Sequence, residues 1–126
     1  MLYDTEFLIA YTNGYKGVGK ARAARFLAAH AESGLFISRI TWMEFSSGVA
    51  TRAEADHATS RFSVLEIDDK LAWHAARVRR YLQAQGIPIG DHDVWIAATA
   101  LAYGLPLVSN NSRHFDRVPG LDLRAY

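Results

Sequence analysis

The chain has 126 residues, 50% of them hydrophobic and 21% charged, with a formal net charge of +1 and no cysteine. That length suits one domain with its own core, and the composition excludes disorder. The missing cysteines exclude disulfide stapling, and the balanced charge excludes a global basic field, so any nucleic-acid contact must use a local patch. No basic-then-apolar leader precedes Asp4, and the uncharged run from Val94 is broken by Gly104 and Pro106 before reaching the ~20 residues that span a bilayer. The expectation is a soluble, cytoplasmic protein with no membrane segment.

In chain order, Met1 to Tyr3 is a brief first strand ending at Asp4, and the apolar Phe7 to Tyr11 stops at Asn13-Gly14. Lys20 to Ala31 reads as an amphipathic helix with Ala23, Phe26, Leu27 and His30 on one face. Leu35 to Ser38 has the make-up of a buried strand. A helix opens at Thr41-Trp42-Met43-Glu44, and another runs from about Arg52 to Arg61. Ser63 to Ile67 is a third strand. Asp68 caps a long helix, Asp69 to Ala84, whose core stripe is Leu71, Ala75, Val78 and Leu82. The stretch from Val94 to Tyr103 is apolar on every side, so it predicts a helix buried all round, closed by Gly104 and barred from continuing by Pro106. Leu105 to Val108 is a fourth strand, a Ser-Asn-Asn-Ser turn follows, and Leu121 to Leu123 is a last edge strand. Strands alternating with helices predict a single three-layer α/β/α domain, residues 1–126, around a central, mostly parallel sheet.

Several motifs have two readings. Gly14 to Lys20 has the Gly-x4-Gly-Lys spacing of a phosphate loop, but Ala21 stands where a magnesium-binding hydroxyl belongs, so it reads as a glycine turn before a helix. Thr41 and Glu44 fit a capping box; Asp91 fits an N-cap and Asp93 a first-turn acid favoured by the helix dipole. Asp4 by itself fits a turn acid. His30, His57, His74 and His92 lack metal-ligand spacing and read as surface or satisfied side chains. Trp42, Trp73 and Trp95 read as core. Placed on the sheet, however, Asp4, Glu44 and Asp93 all fall beyond strand ends, where an open parallel sheet forms its crevice. Three carboxylates there repel one another unless a hard divalent cation neutralises them, and magnesium keeps waters able to attack a phosphodiester.

Four segments carry a resemblance: Asp4-Thr5; Ser38 to Gly48; Asp93 to Ala100; and Leu107 to Phe115. In this order and spacing they resemble the PIN-domain ribonucleases, specifically the VapC-type toxins of toxin–antitoxin pairs. The resemblance implies a PIN-like fold and a magnesium- or manganese-dependent endoribonuclease, with Asp4, Glu44 and Asp93 as metal-binding acids. It also implies a homodimer and a cognate antitoxin. The family's fourth acid falls where Asn111 or His114 stands here, with Asp91 or Asp116 as substitutes, and Glu6 replaces a small polar residue after Asp-Thr. Ser109, Asn110 and Asn111 are expected to position a phosphate, and Arg39, Arg113 and Arg117 to contact the RNA backbone. The other expectation is a PIN-like domain that binds RNA or a partner with weak or lost catalysis.

Overall fold

The switch point of the sheet lies beside its first strand. In the computed structural model, which describes residues 1–12 and 18–126, β1 (Leu2–Tyr3) pairs in parallel with β2 (Phe36–Ser38) on one side and β4 (Leu107–Val108) on the other. Outside these lie β3 (Ser63–Leu65) and β5 (Leu123–Arg124), giving the order β3-β2-β1-β4-β5, all parallel. The chain therefore winds outward from β1 to β3, then crosses back to β4. Crevices form outside the carboxyl ends of strands where the order reverses in this way. Asp4 follows β1 and Ser109 follows β4 at that reversal.

Alternation along the short strands fills both faces. Leu2 and Leu107 point into one layer with α5 (Asp69–Ala84), α6 (Asp91–Tyr103) and Phe115 of α7 (Ser112–Phe115). Tyr3, Ile37 and Val108 point into the other, against α1 (Thr5–Thr12), α2 (Val18–Ala29) and Phe45 of α3 (Arg39–Ser46). The helix α4 (Arg52–Thr59) follows α3 and opens with a full capping box, Thr51 and Glu54. The expected three-layer arrangement is thus present.

Helix α5 matches its expected span: Asp68 Oδ1 accepts the Leu71 N–H at 2.8 Å, and Leu71, Ala75, Val78 and Leu82 are buried. Trp73 breaks the expectation that all three tryptophans are core. It is 61% exposed, because two residues past Leu71 is roughly 200° around the helix, pointing away from the stripe. Trp42 and Trp95 are half-buried. In α6 the consecutive residues Ile96 to Ala100 are all buried, which takes in every side of the helix.

Two expected caps are different. The N-cap of α6 is Gly90, not Asp91, and it makes no side-chain cap bond. The N-cap of α3 is Ser38, whose Oγ accepts the Thr41 N–H at 2.9 Å, so Thr41 and Glu44 do not form a capping box. Ser38 wins because β2 ends on it and the chain turns directly into the helix. A cap contributes about 1 kcal/mol, whereas burying each of several apolar side chains contributes about 1.5–3 kcal/mol; packing therefore holds the uncapped α6. Smaller differences occur at α2, which starts and ends two residues early, and at the turn after β4, which continues into α7. Most of the Gly14 to Lys20 loop lies outside the described residues; Lys20 is exposed in α2.

Gly104 closes α6 at φ +62°, a left-handed conformation that an L side chain adopts at a cost of about 1–2 kcal/mol. Gly104→Ala is expected to lower unfolding free energy by about 1 kcal/mol in urea titrations. An unchanged midpoint and slope would contradict the αL role.

Candidate active site

Asp4, Glu44 and Asp93 come from three different elements and line one open pocket of about 420 Å³, together with Thr5, Glu6, Ile9, Ile96 and Asn111. Asp4 is the most enclosed, with 4% of its surface exposed. It does cap a helix: Oδ1 accepts the Phe7 N–H at 2.8 Å at the start of α1, while Ser109, itself buried, donates its hydroxyl to Oδ2. Burial pushes the Asp4 carboxyl from an ordinary 3.8 up to about 6; the Ser109 and Phe7 bonds pull it down, and the charges of Glu6 and Asp93 push it further up. The metal-free pocket therefore resists negative charge.

Freed from any capping duty, the Glu44 carboxylate is held by two donors. The Thr5 hydroxyl donates to Oε2, and Nδ1 of His92 donates to Oε1 at 2.7 Å. Asp93 sits in the first turn of α6, where its Oδ2 accepts from Nδ1 of His114 at 2.7 Å. Among the described residues, no three His, Asp or Glu side chains converge as a ready metal cage. The acids are spread around the wall, each steadied by local donors, which is the arrangement mutual repulsion favours in the absence of a cation. Their chemistry is all-oxygen and anionic, the donor set that hard divalent ions take.

The other expected residues divide. Ser109 and Asn111 belong to this corner: the Asn111 N–H donates to Ser109 Oγ at 3.0 Å, and its amide lies 3.3 Å from His114. Asn110 instead pairs with the backbone of Tyr126, through bonds of 3.2 and 3.0 Å. Asp91 points to the α5 side, 3.6 Å from Arg79, and lines a different cavity with Pro88 and Ile89. Asp116 is exposed at the end of α7 and does not line the pocket. Arg39 is engaged by Glu66 and lies over the Trp42 ring, 4.8 Å from its centroid. Arg117 donates to the Pro88 carbonyl at 3.0 Å, and Arg113 is exposed on α7.

Thr5, Glu6 and His92 are the pocket's additions. Thr5 lies inside the Asp-Thr motif and Glu6 next to it. His92 carried no signal beyond its place between two aspartates, since its partner is 48 residues away.

With this geometry in hand, comparison with known proteins is informative. A PIN domain profile matches residues 1–121. The chain is 36% identical over 96 residues to the tRNA(fMet)-specific endonuclease VapC of Salmonella typhimurium, covering 71% of this chain and 73% of that protein. It is 30% identical over 129 aligned positions to Ribonuclease VapC1 of Methanocaldococcus jannaschii, covering 100% and 86%. Among solved structures it superposes on the DNA-bound VapBC of Salmonella typhimurium with a TM-score of 0.79 at 29% identity, over 98% of this chain and 96% of that one.

Proposed function

Because the chain belongs to the PIN-domain family, as a VapC-type ribonuclease, we propose that Asp4, Glu44 and Asp93 hold a magnesium or manganese ion and that this pocket hydrolyses RNA phosphodiesters. The observation that carries the reading is the meeting of these three acids, far apart in sequence, in one pocket at the sheet's switch point. The role is that of a toxin endoribonuclease. When bound, the ion supplies Lewis-acid stabilisation of the charge that develops on the phosphate and lowers the pKa of attacking water.

The chain's own groups do the positioning. Ser109 and the Phe7 N–H fix the Asp4 carboxylate; Thr5 and His92 orient Glu44; His114 orients Asp93. Asn111 faces the same pocket and offers its amide to a phosphate oxygen. Arg113, exposed on α7 beside this corner, is the cation best placed to meet the RNA backbone among the three expected arginines. An antitoxin that covers the pocket is the partner this reading calls for, as in the VapBC complexes of its relatives, and a homodimer is its oligomeric state. No helix among the described residues is long and apolar enough to cross a membrane.

The test uses the purified chain, freed of any partner, with initiator tRNA and unrelated structured RNAs. Discrete cuts are expected with magnesium or manganese and none after chelation by EDTA. Cuts that survive EDTA would remove the metal mechanism. RNA bound but uncut in both metals would favour a binding domain that has lost its catalysis.

A further inference from the structure

The resemblance leaves one corner of the site without an anion. His114 and Asn111 occupy it, and His114 is already committed to Asp93. Neither substitute acid fills the gap, since Asp91 faces Arg79 in another cavity and Asp116 stays outside. A carboxylate nevertheless lines the pocket from the opposite side, two residues beyond Asp4.

Resting on the function proposed above, we propose that Glu6 is the fourth carboxylate of the metal centre, presented from the first turn of α1. Its side chain lines the same cavity as Asp4, Glu44 and Asp93. Its charge is felt where an ion would sit: of the two acids that repel Asp4, Glu6 acts more strongly than Asp93. An acid in a first helical turn gains from the helix dipole anywhere on that turn. That alone does not explain an acid on the face where it opposes a buried carboxylate, and a cation between the two does. The donor moves from the turn after β4 to the helix after β1, and the pocket keeps four anionic side chains.

The experiment is a manganese titration of the purified chain, read by the electron paramagnetic resonance signal of free ion and by calorimetry, with no RNA present. Wild type, Glu6→Gln, Glu6→Asp, Glu44→Gln and Asp91→Asn are compared. Glu6→Gln is expected to weaken binding by about tenfold or more, the scale on which even outer partners of metal ligands act. Glu6→Asp keeps the charge but withdraws the carboxylate by one methylene, so a ligand predicts a similar loss. Asp91→Asn, outside the pocket, should bind as wild type does. Metal-free melting checks each variant's fold, and Glu6, exposed on the surface, should leave it near wild type. Binding by Glu6→Gln within twofold of wild type would overturn the assignment, as would wild-type affinity in Glu6→Asp, which would reduce Glu6 to a source of field. In both cases a loss in Glu44→Gln would leave the broader metal reading intact. If wild type binds no manganese, or Glu44→Gln binds as tightly as wild type, the metal reading itself fails and Glu6 with it.

Discussion

Asp93→Asn should abolish RNA cleavage, by at least about 100-fold, while leaving the metal-free protein as stable as wild type or slightly more so. The two halves of this result come from the same observation. Asp93 caps nothing, since α6 starts at Gly90 without a side-chain cap and is held by the buried run Ile96 to Ala100. Asparagine keeps the shape and an oxygen for the His114 Nδ1–H, so the bond seen at 2.7 Å can persist. What disappears is one negative charge from a pocket that already repels the Asp4 carboxyl. Rates of cleavage and urea titrations in EDTA measure the two halves separately. A variant that loses cleavage only because it unfolds would show a destabilisation of about 1 kcal/mol or more, and Asp93 would then be a structural residue.

The second large effect concerns pH. Asp4 binds its proton more tightly in the fold than in the unfolded chain, at about 6 against 3.8. For a carboxyl whose pKa is raised by folding, the stabilisation is fully present below pH 3.8 and is lost as pH rises through 6. Two pKa units correspond to on the order of 3 kcal/mol, and with 4% exposure Asp4 has little solvent screening to reduce it. Asp4→Asn is uncharged throughout and should not show this loss. In EDTA, its unfolding free energy relative to wild type should therefore rise by about 3 kcal/mol between pH 4 and pH 7.5. Parallel stability profiles for the two proteins would show that burial does not strain the Asp4 carboxylate.

Much of this was written in local patterns. The stripe Leu71, Ala75, Val78 and Leu82 with its Asp68 cap, and the all-round apolar run ending at Gly104, each follow from spacing and one cap residue. The meeting of Asp4, Glu44 and Asp93 was legible too, because strand-end positions in a parallel sheet share an edge whatever the details between them. What could not be read depends on boundaries or on side-chain direction. Both Ser38 and Thr41 are good capping residues, and only the end of β2 decides between them. Phe7 to Tyr11 is short and apolar, a pattern shared by strands and buried helices. Without knowing that it belongs to α1, Glu6 cannot be aimed at the pocket. The bonds of His92 to Glu44 and His114 to Asp93 cross 48 and 21 residues, so neither leaves a local trace.

The central claim is that these acids hold a cation, and the change in melting temperature on adding manganese tests it most directly. With manganese at about ten times its dissociation constant, wild type should gain about 1.4 kcal/mol, a rise of about 5 °C for a domain of this size. Asp93→Asn, melted at the same manganese concentration, should lose most of that rise while matching wild type in EDTA. An equal rise in both proteins would show that Asp93 does not hold the ion and would contradict the assignment of this pocket.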